Sequence, residues 1–156
     1  MHPILRVHEA RELAAIAAAE DDRETTRRCA REALSVAEDS GLRWLAACAR
    51  LDLAEAVDAA EEAVREARAA AALAEQMGAV LVQARGLACV AARADTEEAG
   101  ASLQAAAAIL TDLGRRLGPL ERLFLRTPLC RRVLGGPDSS HLAELPTEES
   151  SGVRTT

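Results

Sequence analysis

The chain has 156 residues, of which 49% are hydrophobic, and this is enough for one modest domain with a single core. Its formal net charge of −6 argues against binding to nucleic acid or to anionic membranes. The chain contains one phenylalanine, one tryptophan and no tyrosine, and it is rich in alanine. Because alanine has the highest helix propensity, this composition predicts closely packed helices rather than a sheet.

Apolar residues recur at helical spacing from the start of the chain, and six helices are predicted before residue 115. On the first helix the apolar positions are Ile4, Val7, Leu13 and Ile16. The predicted helices cover residues 3–19, about 22–40, 42–57, 58–77, 79–93 and 95–114. Short loops force each helix to lie antiparallel to the next, so the prediction is an all-α chain of three stacked hairpins.

A D-x-x-E box repeats along these hairpins at two equal steps of 37 residues. The boxes are Asp21/Glu24, Asp58/Glu61 and Asp95/Glu98, and each is followed by a glycine, at Gly41, Gly78 and Gly114. An acidic residue accepts hydrogen bonds from the first free backbone N–H groups of a helix, and a glycine closes the far end in the left-handed conformation. Each box is therefore predicted to begin the second helix of a hairpin, and each glycine to end it.

Small residues also keep a constant distance from these glycines. Alanine stands eight residues before each glycine, at Ala33, Ala70 and Ala106, and a small residue stands eight residues after the first two, at Ala49 and Gly86. Small side chains at matching positions allow two helices to approach closely.

Over residues 3–114 this pattern resembles the tetratricopeptide repeat family, in the longer form found in helical regions of large bacterial ATP-dependent transcription regulators and signalling ATPases. The resemblance rests on the helix pairing, the spaced small residues and the glycine boundaries, although the step is 37 residues. It implies an alpha-alpha superhelix that binds protein, in a bacterial regulatory or signalling context.

The composition changes after Gly114, and we divide the chain into helical repeats (1–114), capping helices (115–135) and a tail (136–156). Gly118-Pro119 and Thr127-Pro128 predict two short helix starts. Six apolar side chains are expected to cover the open end of the last hairpin: Leu120, Leu123, Phe124, Leu129, Val133 and Leu134. The polar tail, rich in proline, serine and threonine, is predicted to be disordered.

No motif of catalysis, phosphate binding or metal ligation is found. The four cysteines never form C-x-x-C, and the glycines form neither G-x-x-x-x-G-K nor G-x-G-x-x-G. We therefore expect no enzyme activity, no cofactor and no metal. No apolar run reaches the roughly 18 residues that span a bilayer, and charges interrupt any signal-like segment at the start. We expect a cytoplasmic protein without a membrane segment.

Two groups of residues are candidates for partner binding. The first is Arg43 with Trp44, where the alternative is that the lone tryptophan fills the core. The second is the arginine cluster of the C-terminal segment, where residues 113–136 carry a local charge near +5. Its candidates are Arg122, Arg126, Arg131 and Arg132, and the alternative is that they solvate the cap.

These observations favour a non-enzymatic protein–protein interaction module whose inner face is formed by the first, third and fifth helices. One alternative is a helical domain that senses a small effector or forms a homo-oligomer. Another is a C-terminal fragment of a larger ATPase-linked transcription regulator. The partner itself has no signature in the sequence, and the scarcity of aromatic residues argues against nucleic acid.

Overall fold

The computed structural model describes residues 2–135, and within that range the chain is all-α. Eight helices are described: α1 (Pro3–Ala19), α2 (Arg23–Asp39), α3 (Arg43–Ala56), α4 (Ala60–Gln76), α5 (Val80–Arg93), α6 (Thr96–Arg116), α7 (Glu121–Leu125) and α8 (Pro128–Leu134). A 3-10 turn, Gly118–Leu120, precedes α7. The predicted all-α superhelix of three hairpins is confirmed, and the predicted disorder of 136–156 lies outside the described residues.

Each helix packs against the next along the chain, and the three hairpins α1/α2, α3/α4 and α5/α6 follow in file. The first helices also contact one another directly, α1 with α3 and α3 with α5. Among the described helices, the backbones of α2, α4 and α6 make no such contact with one another. The stack therefore curves toward α1, α3 and α5, whose common surface we call the inner face.

The core repeats with the same step as the sequence. One buried cluster contains Ala10, Ala33, Ala37 and Leu45, and a second contains Ala47, Ala70, Ala74 and Val82, each 37 residues further on. A third cluster contains Ala84, 37 residues after Ala47, together with Ala106 and Leu110 of α6, which lie 36 residues after Ala70 and Ala74. Each cluster lies where two helices of one hairpin meet the next hairpin. The 37-residue period is thus a period of packing as well as of sequence.

Two of the three predicted helix starts carry an acidic cap. Asp95 accepts a hydrogen bond from the backbone N–H of Glu98 (3.1 Å), as the box predicts. At α2 the capping residue is Asp22, which accepts from the N–H of Thr25 (3.0 Å). The predicted cap, Asp21, instead has a left-handed φ of 58° in the turn, so the prediction was one residue out.

The prediction that Asp58 caps α4 was wrong. The cap position is Ala59, and no side chain bonds to the first turn there. Asp58 instead accepts from Arg23 (2.5 Å) and Arg27 (2.6 Å) of α2. Its carboxylate joins two repeats, because two guanidinium groups compete for it more strongly than the backbone N–H groups do.

Gly41 and Gly78 both have φ of 67° and end their helices in the left-handed conformation, as predicted. The prediction for Gly114 was wrong, because α6 continues to Arg116 and the left-handed glycine is Gly118. Gly114 is buried within α6, and a Cβ there would lie 3.5 Å from the ring of Phe124. An alanine would therefore make ordinary van der Waals contacts with α7 at this position.

The C-terminal helices cover the last hairpin only in part. Cys130 and Val133 of α8 are buried in the third core cluster, and Phe124 and Leu129 pack against it. The expectation was wrong for Leu120, Leu123 and Leu134, which are exposed. Because α8 contacts both α5 and α6, it occupies the place that the first helix of a fourth hairpin would take.

The buried face of the first helix is formed mainly by alanine. Val7 is buried, and the other buried positions of α1 are alanines: Ala10, Ala14 and Ala17. Ile4, Leu13 and Ile16 are exposed. The alanines allow α1 to lie close to α2, and this turns the larger apolar side chains outward.

Candidate functional site

A pocket of about 400 Å³ opens on the inner face, between α1, α2, α3 and α5. Its walls come from four elements: α1 (Arg11, Glu12, Ala14, Ala15, Ala18), the following turn and α2 (Asp21, Arg23, Thr26), α3 (Asp52, Glu55, Ala56) and α5 (Arg85). Three arginines and four carboxylates therefore surround a space bounded elsewhere mainly by alanine. The alanines that favour close helix packing also leave this space unfilled.

The floor of the pocket is a chain of ion pairs that joins α1, α3 and α5. The Nε of Arg11 donates to Asp52 (2.6 Å), and Arg85 donates to the other oxygen of Asp52 (3.4 Å). Arg85 also makes two bonds to Glu55, of 2.7 and 3.1 Å. Two parallel N–H to carboxylate bonds fix both the position and the plane of a guanidinium group. The charged groups of the floor are thus held in one arrangement before any ligand binds.

The electrostatics of the pocket favour the charged forms of these arginines. Burial by itself would lower the pKa of Arg11, but its hydrogen bond to Asp52 and the charge of that carboxylate raise the pKa above its ordinary value. The pKa of Arg85 is raised in the same way, with burial opposed by Glu55 and Asp52. Both guanidinium groups are therefore permanent cations that keep some N–H groups free for a further acceptor.

Cys48 lies between the two arginines and is buried. Arg11, Cys48 and Arg85 are 37 residues apart, so they are equivalent positions of three successive first helices. Burial raises the pKa of the Cys48 thiol, against smaller opposing effects of the two arginines. The thiol is neutral near pH 7 and acts as a packing group beneath the ion pairs.

Trp44 extends the inner face along α3. Residues 44, 48, 52 and 55 are spaced by four, four and three, so Trp44 shares one side of the helix with Asp52 and Glu55. At 1.5 Å per residue it lies about 12 Å from Asp52 along the axis. Trp44 is 52% exposed, so the alternative reading, in which it fills the core, is wrong, and its role in binding stays a prediction.

Leu81 occupies the equivalent position of α5, 37 residues after Trp44, and is also exposed. It is four residues before Arg85, on the same side of α5. The inner face thus has an apolar part formed by Trp44 and Leu81, next to the charged part formed by Arg11, Asp52, Glu55 and Arg85. An apolar surface with a few fixed polar groups is typical of binding sites in proteins.

The structure separates Arg43 from Trp44, although they are adjacent in sequence. Arg43 donates to the side-chain oxygen of Gln76 at the end of α4 (2.7 Å) and lines a shallow groove there, away from the ion-pair floor. Its role as a partner-binding residue stays a prediction. The contact itself is structural, since it joins two helices of one hairpin.

The C-terminal arginines form a separate surface. Arg122 and Arg126 lie on or beside α7, and Arg131 and Arg132 lie on α8; all four are exposed. Within residues 2–135 none of them makes an ion pair. Helix α8 contacts α5, and the charge of Arg132 slightly opposes the rise that burial causes in the pKa of Cys89. Their part in binding is a prediction that the structure leaves untested.

Sequence reasoning missed the ion-pair floor, although a signal was available. Arg11 and Arg85 are two periods apart, and neither has an acidic residue four positions away on its own helix. Aligning the three repeats would have placed both arginines on the same face of the stack, one on each side of Cys48 of α3. The identity of their partners, Asp52 and Glu55, follows from the packing of the helices and has no local pattern.

Across the described part of the chain, no three His, Cys, Asp or Glu side chains come together in a way that suits a metal ion. The same residues include no helix with the length and hydropathy needed to cross a bilayer.

Compared with protein-family models, with curated proteins and with solved structures, the chain matches none of them. The resemblance to tetratricopeptide repeats is thus carried by the helix pairing, the spaced small residues and the glycine boundaries alone. What this resemblance implies for function stays a proposal.

Proposed function

We propose that this protein is a non-enzymatic, cytoplasmic protein-binding module that receives a segment of a partner protein on its inner face. The observation that supports this best is the juxtaposition, on one face, of an exposed tryptophan and a fixed chain of ion pairs. Tryptophan and arginine are the residues most enriched among those that dominate binding energy.

The arrangement favours an extended segment with mixed chemistry. An apolar side chain of the partner would lie against Trp44 and Leu81, and burying a large apolar side chain contributes about 1.5–3 kcal/mol. Backbone carbonyls or a carboxylate of the partner would accept from the free N–H groups of Arg11 and Arg85. Because Asp52 and Glu55 already hold these arginines, little side-chain entropy is lost on binding.

Trp44 provides a direct assay, because it is the only tryptophan of the chain. Peptides selected from a displayed random library against the full chain would be titrated while the emission of Trp44 is followed. We expect a shift of the emission to shorter wavelength on binding, because the partner removes water from the exposed indole ring. We also expect at least about a tenfold loss of affinity in Trp44→Ala, the scale that marks a dominant contact residue.

The matched control is Leu103→Ala, which removes an exposed apolar side chain from α6, outside the inner face. This variant should bind the same peptides with unchanged affinity. Arg85→Gln should weaken binding without affecting the folded state of the helices, as followed by circular dichroism. Peptides that bind the wild type, Trp44→Ala and Arg85→Gln equally well would contradict a binding site on the inner face.

A second candidate is the sensing of a small effector, and the pocket itself favours it. A volume of about 400 Å³ lies within the range of roughly 300–1,000 Å³ that holds small ligands in proteins. Because the walls carry both guanidinium and carboxylate groups, the effector would be zwitterionic. A thermal-shift screen of amino acids and other zwitterionic metabolites tests this, since a ligand at 100 times its Kd stabilises by about 2.7 kcal/mol.

We propose a bacterial regulatory or signalling setting from the resemblance alone. If the array belongs with an ATPase-linked transcription regulator, that protein is the first partner to test. The assay is the same titration, with overlapping peptides of the regulator in place of the library.

A further inference from the structure

One face of α1 has no partner among residues 2–135, and the repeat identifies what kind of face it is. Shifting α1 by 37 residues places Glu9, Glu12 and Ile16 on Ala46, Ala49 and Leu53 of α3. These α3 positions are buried in the clusters that α3 forms with α2. On α3 and α5 this face packs against the second helix of the preceding hairpin, α2 or α4. On α1 the same face is open.

This face is apolar in part. Leu5 is 61% exposed, Ile16 is 55% exposed, and Leu13 lies between them on the same side of α1. Glu9 and Glu12 lie among them and make no ion pair with any residue in 2–135. The face thus combines three large apolar side chains with two free carboxylates. We call it the α1 face.

The α1 face cannot pack against a helix as closely as α3 and α5 do inside the stack, because it carries Glu12 where they carry alanine or glycine. In α5 the position equivalent to Glu12 is Gly86, where a Cβ would lie 2.9 Å from the Cβ of Ala71 and 3.0 Å from the carbonyl oxygen of Ala67. In α3 it is Ala49, which is fully buried. A glutamate at this position holds a neighbouring helix further away. The partner of the α1 face must therefore bring long side chains and positive charge.

The opposite end of the same molecule has these properties. Leu120 is 56% exposed and Leu123 is 65% exposed, and both lie at α7 beside the exposed Arg122 and Arg126. Neither arginine forms an ion pair within the described range. We call this surface, formed by Leu120, Arg122, Leu123 and Arg126, the α7 face. It offers leucines to the leucines and isoleucine of the α1 face, and guanidinium groups to its carboxylates.

We propose that a second copy of this chain docks its α7 face on the α1 face, so that the molecules associate head to tail. Charge complementarity selects this arrangement. A symmetric pairing of two α1 faces would set Glu9 and Glu12 of both copies against each other, and two α7 faces would oppose their arginines. A head-to-tail contact is heterologous, so it can repeat and form chains longer than a dimer.

A pair of charge-reversal variants tests this. The first is Glu9→Arg with Glu12→Arg, and the second is Arg122→Glu with Arg126→Glu; all four positions are exposed. Sedimentation velocity of the full chain over a range of concentrations measures the average mass. We expect the wild type to self-associate, with an apparent Kd that rises about tenfold when salt is raised from 0.05 M to 0.5 M, because salt screens exposed charges.

Each variant alone should be monomeric, because its two faces carry the same sign of charge. An equimolar mixture of the two variants should associate again, since each face then meets its opposite. Circular dichroism of each variant checks that the helices are retained. A wild type that stays monomeric at millimolar concentration would overturn the proposal, as would a mixture that behaves like the separate variants. Because Glu12 also borders the inner-face pocket, the Trp44 titration is repeated in the Arg122→Glu, Arg126→Glu variant, which leaves the inner face unchanged and keeps this result separate from that of the proposed function.

Discussion

Adding one methyl group at Gly86 should destabilise the protein, whereas the same change at Gly100 should stabilise it. Gly86 lies at the contact of α5 with α4, where a Cβ would come within 2.9 Å of the Ala71 Cβ and 3.0–3.1 Å of backbone atoms of α4. Backbone atoms of a packed helix do not move aside as the end of a flexible side chain does. Gly100 lies in α6, is exposed, and has nothing within 4 Å of its added Cβ.

Both substitutions gain helix propensity, but only Gly86→Ala introduces a steric clash. Replacing glycine by alanine inside a helix stabilises by about 1 kcal/mol through helix propensity. Overpacking of a close contact costs about 1–3 kcal/mol. We therefore expect Gly100→Ala to raise the free energy of unfolding by about 1 kcal/mol. Gly86→Ala should lower it by about 1 kcal/mol, and the difference between the variants isolates the cost of separating α4 from α5.

Urea unfolding of the full chain, followed by far-ultraviolet circular dichroism, measures both values. In thermal unfolding a change of 1 kcal/mol corresponds to a shift in Tm of about 4 °C for a domain of this size. If Gly86→Ala is as stabilising as Gly100→Ala, α4 and α5 do not approach as closely as described. The inference that Glu12 keeps a neighbouring helix from packing closely against α1 would then also lose its support.

Three further results follow from the ion pairs and the buried thiols. Asp52→Asn should lower the free energy of unfolding by about 1–3 kcal/mol, measured by urea unfolding, because Arg11 and Arg85 each lose a charged hydrogen-bond acceptor; an unchanged value would show that these contacts do not form. Hydrogen bonds from Arg23 and Arg27 lower the pKa of Asp58 below its ordinary 3.8. The stability that these bonds give to the folded state is therefore complete above the ordinary pKa and is lost as the pH falls through the lower pKa of the folded state. Stability measured between neutral and acidic pH should therefore fall more steeply in the wild type than in Asp58→Asn, and parallel curves would refute this. Cys48 and Cys89 are buried and burial raises the pKa of both thiols, so alkylation in the native protein should be at least about tenfold slower than in urea, and equal rates would contradict their burial.

The stacking of the hairpins could be predicted from the sequence because its signals are local and repeated. The alanines at 33 and 70 and the glycines at 41 and 78 recur at one period, and each satisfies a steric requirement of its own helix or turn. The failures occurred where a residue of another repeat takes part. Asp58 has the pattern of a cap, but Arg23 and Arg27, more than 30 residues earlier, bind its carboxylate.

The binding site was predicted less well, for the same physical reason. Trp44 was identified as a candidate, but its exposure depends on how α1 and α5 lie on either side of α3, and composition does not determine that. The ion-pair floor joins three helices and has no short-range pattern. Leu13 and Ile16 follow the helical spacing of α1 and yet are exposed, because apolar spacing predicts a helix and does not determine which of its sides is buried.

The proposed function requires that the inner face is the surface that receives the partner. Photo-crosslinking of a selected peptide to the full chain, with the modified residues mapped by mass spectrometry, tests this most directly. The prediction is that the modified residues lie on α1, α3 and α5, around Arg11, Trp44, Leu81 and Arg85. Crosslinks confined to α2, α4 and α6, or to the α7 face, would contradict it.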